Sequence, residues 1–479
     1  MTSRLIILAC LLSFNGLSQV STDSAAFYIR DIYRQTYTEL RAYEWLTTLT
    51  KDIGPRLSGS EGAARSVAWA KTVMDTFGLD SVWLQPVRVP HWVRGKPEQV
   101  YMITHGRSPV TPPLIYSTAP RDDGMYSLHA LALGNSPGTG SGWVVGEVIE
   151  VLTLDQLRSI PDEEVKGKIV FFNRPMDLGL LSTFSAYGGA VDQRAYGPAL
   201  AAEKGAVAAA VRSLSTRLDD YPHTGVTLLS DKVKNIPSVA ISTRDADRLS
   251  KAISQGPTRL FVQTFCEMLG EADSYNIIGE IRGTVHPDTI ILVGGHLDSW
   301  DVGEGAHDDG SGCVHAMEVL YRLKKNNYQP RHTIRCVLFM NEENGLHGGN
   351  TYAKEAFARD EYHLAAIESD GGGATPQAFG CSAGEDGILE GHLAHMTSFM
   401  SLLEPYDIEL KAGGGGADIT PLKPRAGVLI GLRPDNARYF DYHHSALDVL
   451  EAVHPRELAS GSAALTSLVF LIDQYGIGQ

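Results

Sequence analysis

His296 and Asp298 follow the apolar run Thr289–Gly294, Glu342 and Glu343 follow Thr333–Met340, and Asp370 follows Leu364–Ser369. Each run has the length and branched-residue content of a buried strand, so three strands deliver imidazole or carboxylate to one rim. Asp308-Asp309 in a Gly-rich loop and His443-His444, after a fourth buried run at Gly427–Leu432, join them. Open α/β sheets bind ligands at the carboxyl ends of their strands, and imidazole with carboxylate there makes a metal site of the zinc or manganese type. Alone, Asp298, Asp309 or His443 reads as a loop residue and Glu342-Glu343 as a solvated helix start. The joint pattern carries the reading. His91, His105, His307, His332, His347 and His454 lack such spacing and read as surface or structural residues.

The elements that must position these residues alternate. After 275 come the strand Thr289–Gly294, a helix around 312–325, the strand Thr333–Met340, a helix around 346–358, the strand Leu364–Ser369, the run Gly427–Leu432 and a helix at about 455–475. Short apolar strands alternating with helices predict an α/β fold, a mostly parallel mixed sheet covered by helices on both faces. Upstream the texture differs. Residues 26–50 and 60–78 read as helices, 100–145 as strands joined by turns, and the stretch from 144 as short β-rich runs (Val144–Val151, Lys168–Asn173, Val239–Ser242) around an Ala-rich helical segment at 199–210. The predicted division is 1–18, 19–119 and 269–479 for leader and main domain, with a β-rich insert at 120–268.

The chain has 479 residues, 43% apolar and 20% charged, which excludes wholesale disorder and fibrous folds. Its net charge of −15 repels phosphate backbones and anionic lipid, so nucleic acid is not expected as a partner. Met1 to about Ser18, with Arg4, the apolar run Leu5–Leu12, Gly16 and Ser18, reads as a secretory signal peptide, and the expected location is secreted, periplasmic or extracellular. Cys10 after Ile7-Leu8-Ala9 offers lipoprotein processing as the weaker alternative. Cys266, Cys313, Cys336 and Cys381 are too sparse for a disulfide framework and lack zinc-finger spacing; their pairing is undecided by sequence.

The order His-x-Asp, Asp twelve residues after the His, Glu-Glu, Asp, then His followed four residues later by Asp448 resembles the two-zinc exopeptidase family that includes aminopeptidase S. Gly294-Gly295-His296-Leu297-Asp298-Ser299-Trp300-Asp301, Glu368-Ser369-Asp370 and His443-His444-Ser445 carry the likeness, as do Ile53-Gly54-Pro55-Arg56-Leu57-Ser58-Gly59-Ser60 and Val89-Pro90-His91-Trp92-Val93-Arg94-Gly95 upstream. The resemblance implies two Zn2+ per chain, with Asp308 bridging, His296 and Asp370 completing one site, and Glu343 and His444 the other. It implies Glu342 as general base, Asp298 orienting His296, and a cis peptide bond between Asp308 and Asp309. His443 is assigned to hydrogen-bonding the tetrahedral oxyanion. Lys166-Gly167-Lys168-Ile169-Val170 and Ile236-Pro237-Ser238-Val239-Ala240-Ile241 make the insert similar to a protease-associated domain, read as a lid over the cleft or as a packing or dimerisation module. The run Gly413–Gly416 is placed near the cleft by the same likeness, and a homodimer is implied by it.

The leading expectation is therefore a secreted zinc exopeptidase acting on dipeptides or short peptides with free termini. An aminopeptidase on longer peptides would use the same residues in a more open cleft, and glutaminyl cyclisation belongs to a single-zinc branch that the intact set with His296 argues against. A non-catalytic binding ectodomain of the same fold would have lost ligands or Glu342, and here all are present. No His-Glu-x-x-His or Walker A pattern occurs.

Overall fold

The computed structural model describes residues 22–104, 125–384 and 386–478. The segment read as a signal peptide, Cys10, His105 and the expected boundary at 119/120 lie outside the described residues. No helix among them is long and apolar enough to cross a membrane.

The larger sheet has eight strands in the order Ser81–Val93, Glu267–Ile281, His332–Phe339, His286–His296, Tyr362–Glu368, Ala426–Pro434, Pro376–Ser382 and Glu409–Ala412. The four middle strands from His332–Phe339 to Ala426–Pro434 run parallel, and their flanks are antiparallel. These four are the apolar runs seen in the sequence. Alternate residues enter opposite cores. Ile291, Val293, Ala365, Ile367, Val428 and Ile430 pack with helices Ser311–Lys325, Pro455–Tyr475 and Thr22–Glu39 on one face. Ile290, Leu292, Val337, Ala366 and Leu429 pack with His347–Ala358 on the other. A sheet covered on both faces needs continuous apolar strands, which is why these were legible. Register aligns their ends: Gly294 pairs with Val337 on one side and Glu368 on the other, and His296 lies opposite Phe339.

The long pair Ser81–Val93 with Glu267–Ile281 was not expected. Pro86 and Pro90 argue against a central strand, but Ser81–Val93 is the sheet edge, where a missing donor costs no ladder bond. The first half of Glu267–Ile281 is largely exposed and mixes Met268 and Leu269 with Glu267, Gly270, Glu271 and Asp273, so it lacks a buried-strand signature.

The second sheet is inserted between these strands, in the order Met125–Leu128, Gln99–Ile103, Arg259–Gln263, Val144–Val151, Ile169–Phe172, Ala208–Arg212, Ser238–Ile241 and Ala130–Ala132. It takes in Gln99–Ile103, upstream of the expected start at 120. Four of its strands are mutually parallel, and helix Thr243–Gln255 packs on it. The Ala-rich stretch at 199–210 is not one helix. Helix Gly197–Glu203 ends near Gly205, at φ 84°, and Ala208–Arg212 is a central parallel strand. Burial on both faces overrides the helix preference of alanine there. The expected helix at 26–50 likewise divides into Thr22–Glu39 and Arg41–Thr47 at Leu40, which sits at φ 50°. Cys266, Cys313, Cys336 and Cys381 are buried free thiols.

Candidate metal centre

His296 ends its strand with Nδ1 3.0 Å from the carbonyl oxygen of Asp298, so that ring nitrogen is the donor and Nε2 faces the rim. Nε2 lies 3.2 Å from Asp308 Oδ1 and 3.5 Å from Asp370 Oδ1. His444 is held in the same manner, with Nδ1 3.3 Å from the Thr224 carbonyl. Its Nε2 lies 3.1 Å from Glu343 Oε2 and 3.3 Å from Asp308 Oδ2. The two oxygens of Asp308 thus address two different histidines. Neither Asp308 Oδ2 nor Glu343 Oε1 has a hydrogen-bond donor, although both are buried. Buried carboxylate oxygens without donors fit a cation. The ligand-type atoms of His296, Asp308 and Glu343, of His296, Asp309 and Asp370, and of Asp308, His443 and His444 come within 4.8 Å of one another in three groups. The peptide bond between Asp308 and Asp309 is cis, as the resemblance implied.

Other carboxylates hold the loops. Asp298 does not orient His296 through its carboxylate, which stands 4.0 Å from Nδ1; the carbonyl does that, at 3.0 Å. Instead Asp298 Oδ1 accepts the backbone N–H of Asn341 at 2.6 Å and of Glu342 at 3.0 Å, fixing the Glu342-Glu343 turn. Asp309 accepts the N–H of His296 and of Gly312. Gly312 is obligatory, because a Cβ there would collide with the Ser369 carbonyl and with this carboxylate. Asp448 accepts the N–H groups of Ala306, His307 and Asp308, the loop that presents the Asp308 carboxylate. Arg56, fully buried, spends Nε, Nη1 and Nη2 on the carbonyls of Leu297, Glu304 and Gly305. Ser58 joins Asn341 and Asn344. The upstream motif around Arg56 and Ser58 is therefore a brace for the rim.

Residues 276–469 match the model of Peptidase family M28. Carboxypeptidase Q of Bos taurus is 32% identical over 436 residues, covering 90% of this chain and 85% of the relative. That of Xenopus laevis is 33% identical, covering 90% and 86%. A solved peptidase M28 precursor from Shewanella amazonensis superposes with a TM-score of 0.84 at 30% identity, covering 95% of this chain and 97% of that one. The chain belongs to peptidase family M28. A zinc aminopeptidase of Bacillus subtilis, at 19% identity and a TM-score of 0.60 over 91% and 97% of the two chains, shares the M28 fold.

The charge balance of this M28 site calls for cations. Burial opposes protonation of His296 and His444, yet the carboxylates beside them win: Asp308 and Asp370 raise His296 well above its ordinary range, and Glu343 and Asp308 raise His444 to about 10. Burial is also opposed at Asp308, which the two imidazoles hold well below the usual carboxylate range. Glu343 goes the other way, pushed up to about 7 by burial and then by Asp308. Positive charge is drawn to both histidine faces, as expected of a metal site.

Glu342 and Glu343 line a cavity of about 420 Å³ with Asp308, Asp370, His443 and His444. The insert supplies its far wall, through Asn135, Phe184, Tyr187, Arg194, Val226 and Leu228. A second cavity of about 450 Å³ shares Asp370 and Phe184 and is bounded by Gly414, Gly415 and Arg433, so the Gly413–Gly416 run does border the cleft. In that run Gly416 lies directly over Glu368, a carboxyl that burial pushes to about 8. His443 stacks on His444 with centroids 3.5 Å apart, its Nε2 3.8 Å from Asp308 Oδ2. Burial lowers its pKa well below the ordinary imidazole value.

Sequence reasoning missed Tyr439, a buried phenol in the cavity wall whose pKa burial and the nearby Asp308 and Asp370 push far up. It also missed the clamp on the histidine pair: His223 Nδ1 donates to the His443 carbonyl at 2.6 Å, and Thr224 N–H donates to that of His444 at 2.9 Å. No residue type announces a main-chain clamp; the marker available was His223-Thr224 standing in an otherwise plain loop. Of the histidines set aside, His307 donates Nε2–H to the Ala452 carbonyl and accepts the Gly373 N–H at Nδ1, a structural role.

Proposed function

We propose that this chain is a secreted two-zinc exopeptidase that hydrolyses dipeptides or short peptides with free termini, without a covalent enzyme intermediate. The supporting observation is the Asp308 carboxylate, with one oxygen 3.2 Å from His296 and the other 3.3 Å from His444. In this reading Asp308 would be shared by two zinc ions, with His296 and Asp370 holding one and Glu343 and His444 holding the other. Zinc held by these residues would supply Lewis acidity toward the scissile carbonyl and lower the pKa of a water. Glu342 borders the cavity without being a ligand, and its turn is fixed through Asp298. Burial, aided by Asp370, Glu343 and Asp308 against the pull of His296, raises its pKa well above the ordinary carboxyl range. A carboxylate so placed takes the proton from the attacking water and returns it to the leaving nitrogen.

His443, kept neutral by burial, offers an N–H to the oxyanion, and the Tyr439 hydroxyl is a second neutral donor in the same wall. The insert walls the cleft and limits it to short peptides. The relatives' name, carboxypeptidase Q, and the aminopeptidase fold neighbour describe the same bond when the substrate is a dipeptide. Residues 1–18 would be removed on export.

The test is mass-spectrometric hydrolysis by zinc-loaded mature protein of free, N-acetylated and C-amidated dipeptides and a pentapeptide. Cleavage confined to free dipeptides is expected. Stepwise shortening of the pentapeptide from its N-terminus would make the protein an aminopeptidase. No cleavage anywhere would overturn the enzymatic reading.

A further inference from the structure

We propose that Arg194, contributed by the inserted sheet unit, binds the free α-carboxylate of the substrate's C-terminal residue beside the metal cluster. This deepens the exopeptidase reading and rests on it. Arg194 lies in helix Asp192–Ala195 and is 5% exposed. Buried guanidinium groups face carboxylates or exhaust their donors on carbonyls. The other buried arginines follow that rule. Arg335 bonds Glu280 and Glu361, Arg322 bonds Glu318 and Glu39, and Arg56 has its three carbonyls.

Arg194 does neither. Among the described residues it forms no ion pair with a carboxylate, and Asp192, in its own helix, is taken by Arg174. Its Nη2 donates to the Tyr187 hydroxyl at 2.8 Å, its Nη1 makes one long contact of 3.4 Å to the Thr224 carbonyl, and Nε has no partner. A guanidinium has five N–H donors, so most of its capacity is unspent at the wall of a cavity it helps to line.

The position suits a terminal carboxylate. The Thr224 carbonyl that Arg194 contacts also receives His444 Nδ1 at 3.3 Å, so a single oxygen atom links the guanidinium to an imidazole of the cluster. In a dipeptide three bonds separate the scissile carbonyl carbon from the terminal carboxylate carbon, a span of about 4 Å. The half-buried Val226 and the Leu228 side chain line the same cavity and lower the local polarity, which strengthens a charge pair. Space for the fork is kept by Gly225, at φ 138°, where a Cβ would collide with Cζ and Nη1. Tyr187 supports the guanidinium from 5.6 Å and meets His443 edge-on at 5.2 Å, tying this cation to the rim.

The experiment compares one dipeptide with its C-terminal amide in wild type, Arg194→Met and Arg194→Lys, all zinc-loaded and checked for metal content and melting temperature. A calorimetric arm measures binding of the product amino acid and of its amide. Arg194→Met is expected to lower kcat/KM for the free dipeptide about 100-fold, mainly through KM, so that preference over the amide approaches one. Binding of the product amino acid should weaken in parallel. Arg194→Lys, which keeps the charge and loses the fork, should fall between. An unchanged preference in both variants overturns the proposal, as does an equal loss on both substrates through kcat, which would make Arg194 a support for the histidines. Wild type that hydrolyses neither compound refutes the exopeptidase reading instead, and the calorimetric arm then decides Arg194 separately: acid-selective binding that Arg194→Met abolishes upholds it, and its absence overturns it.

Discussion

In the larger sheet, side chains hold backbone: Asp298, Asp309 and Asp448 each accept two or more main-chain N–H groups and so position the turns that carry Glu342, His296 and Asp308. In the inserted sheet the contacts to the cluster run largely through main chain: the Thr224 carbonyl fixes the His444 ring, and His223 and the Thr224 N–H grip the carbonyls of the histidine pair. One region supplies the ligand-type side chains together with their struts. The other supplies a clamp and a wall. His444 belongs to both, since its side chain meets Glu343 and Asp308 while its ring tautomer and backbone are set from the insert. An insert of this kind is more than a lid, because its displacement would unseat half of the cluster.

The largest effects are expected where the larger sheet acts alone. Asp308→Asn should weaken zinc at both positions by about 100-fold or more and abolish turnover, measured by metal analysis after dialysis. Glu342→Gln should keep both metals and lose about 10³-fold or more in kcat, since it removes only the proton acceptor. Full metal occupancy in Asp308→Asn would remove the bridge. Metal loss in Glu342→Gln would move that residue from base to ligand.

These residues were legible for a physical reason. A metal site needs particular side chains, and parallel strands buried on both faces announce their ends, so His296, Glu343 and Asp370 could be placed on one rim from the sequence. Asp448 was noticed by spacing, but not its grip on three N–H groups. The Thr224 carbonyl was invisible in principle, because every residue carries one. Pro86 and Pro90 masked an edge strand, and Ala208-Ala209-Ala210 masked a central one, each a case where tertiary position overrides local preference. Arg194 was missed because a cavity wall assembled from distant segments leaves no spacing to read, and Tyr439, four residues before His443, because a lone aromatic there reads as core.

The clamp predicts an intermediate effect. His223 is buried and burial lowers its pKa to about 3, so at neutral pH it is an uncharged donor to the His443 carbonyl. His223→Ala should reduce kcat by about 10- to 100-fold and loosen zinc at the Glu343–His444 position. His223→Asn, whose amide nitrogen can replace Nδ1 as donor, should recover part of the loss. Wild-type kinetics in His223→Ala would reduce the insert to a passive wall.

The smallest effect concerns stability and lies within the larger sheet. His363, on strand Tyr362–Glu368, accepts or shares the Tyr352 hydroxyl proton at 2.9 Å, and burial followed by Arg335 lowers its pKa to about 3. The unfolded chain binds a proton at His363 below about 6.5 while the folded chain refuses it, so this site's contribution is complete above that pH and is lost as pH falls towards 3. The slope is at most about 1.4 kcal/mol per pH unit. Replacing the imidazole by a group that does not titrate, His363→Gln, should flatten the decline in melting temperature between pH 6.5 and 5 relative to wild type, and using the difference cancels the acid sensitivity of the metal cluster that both proteins share. An identical decline in the two would mean that His363 protonates in the folded sheet, and the Tyr352–His363–Arg335 packing would then have to open at mild acid while the rest of the sheet stays closed.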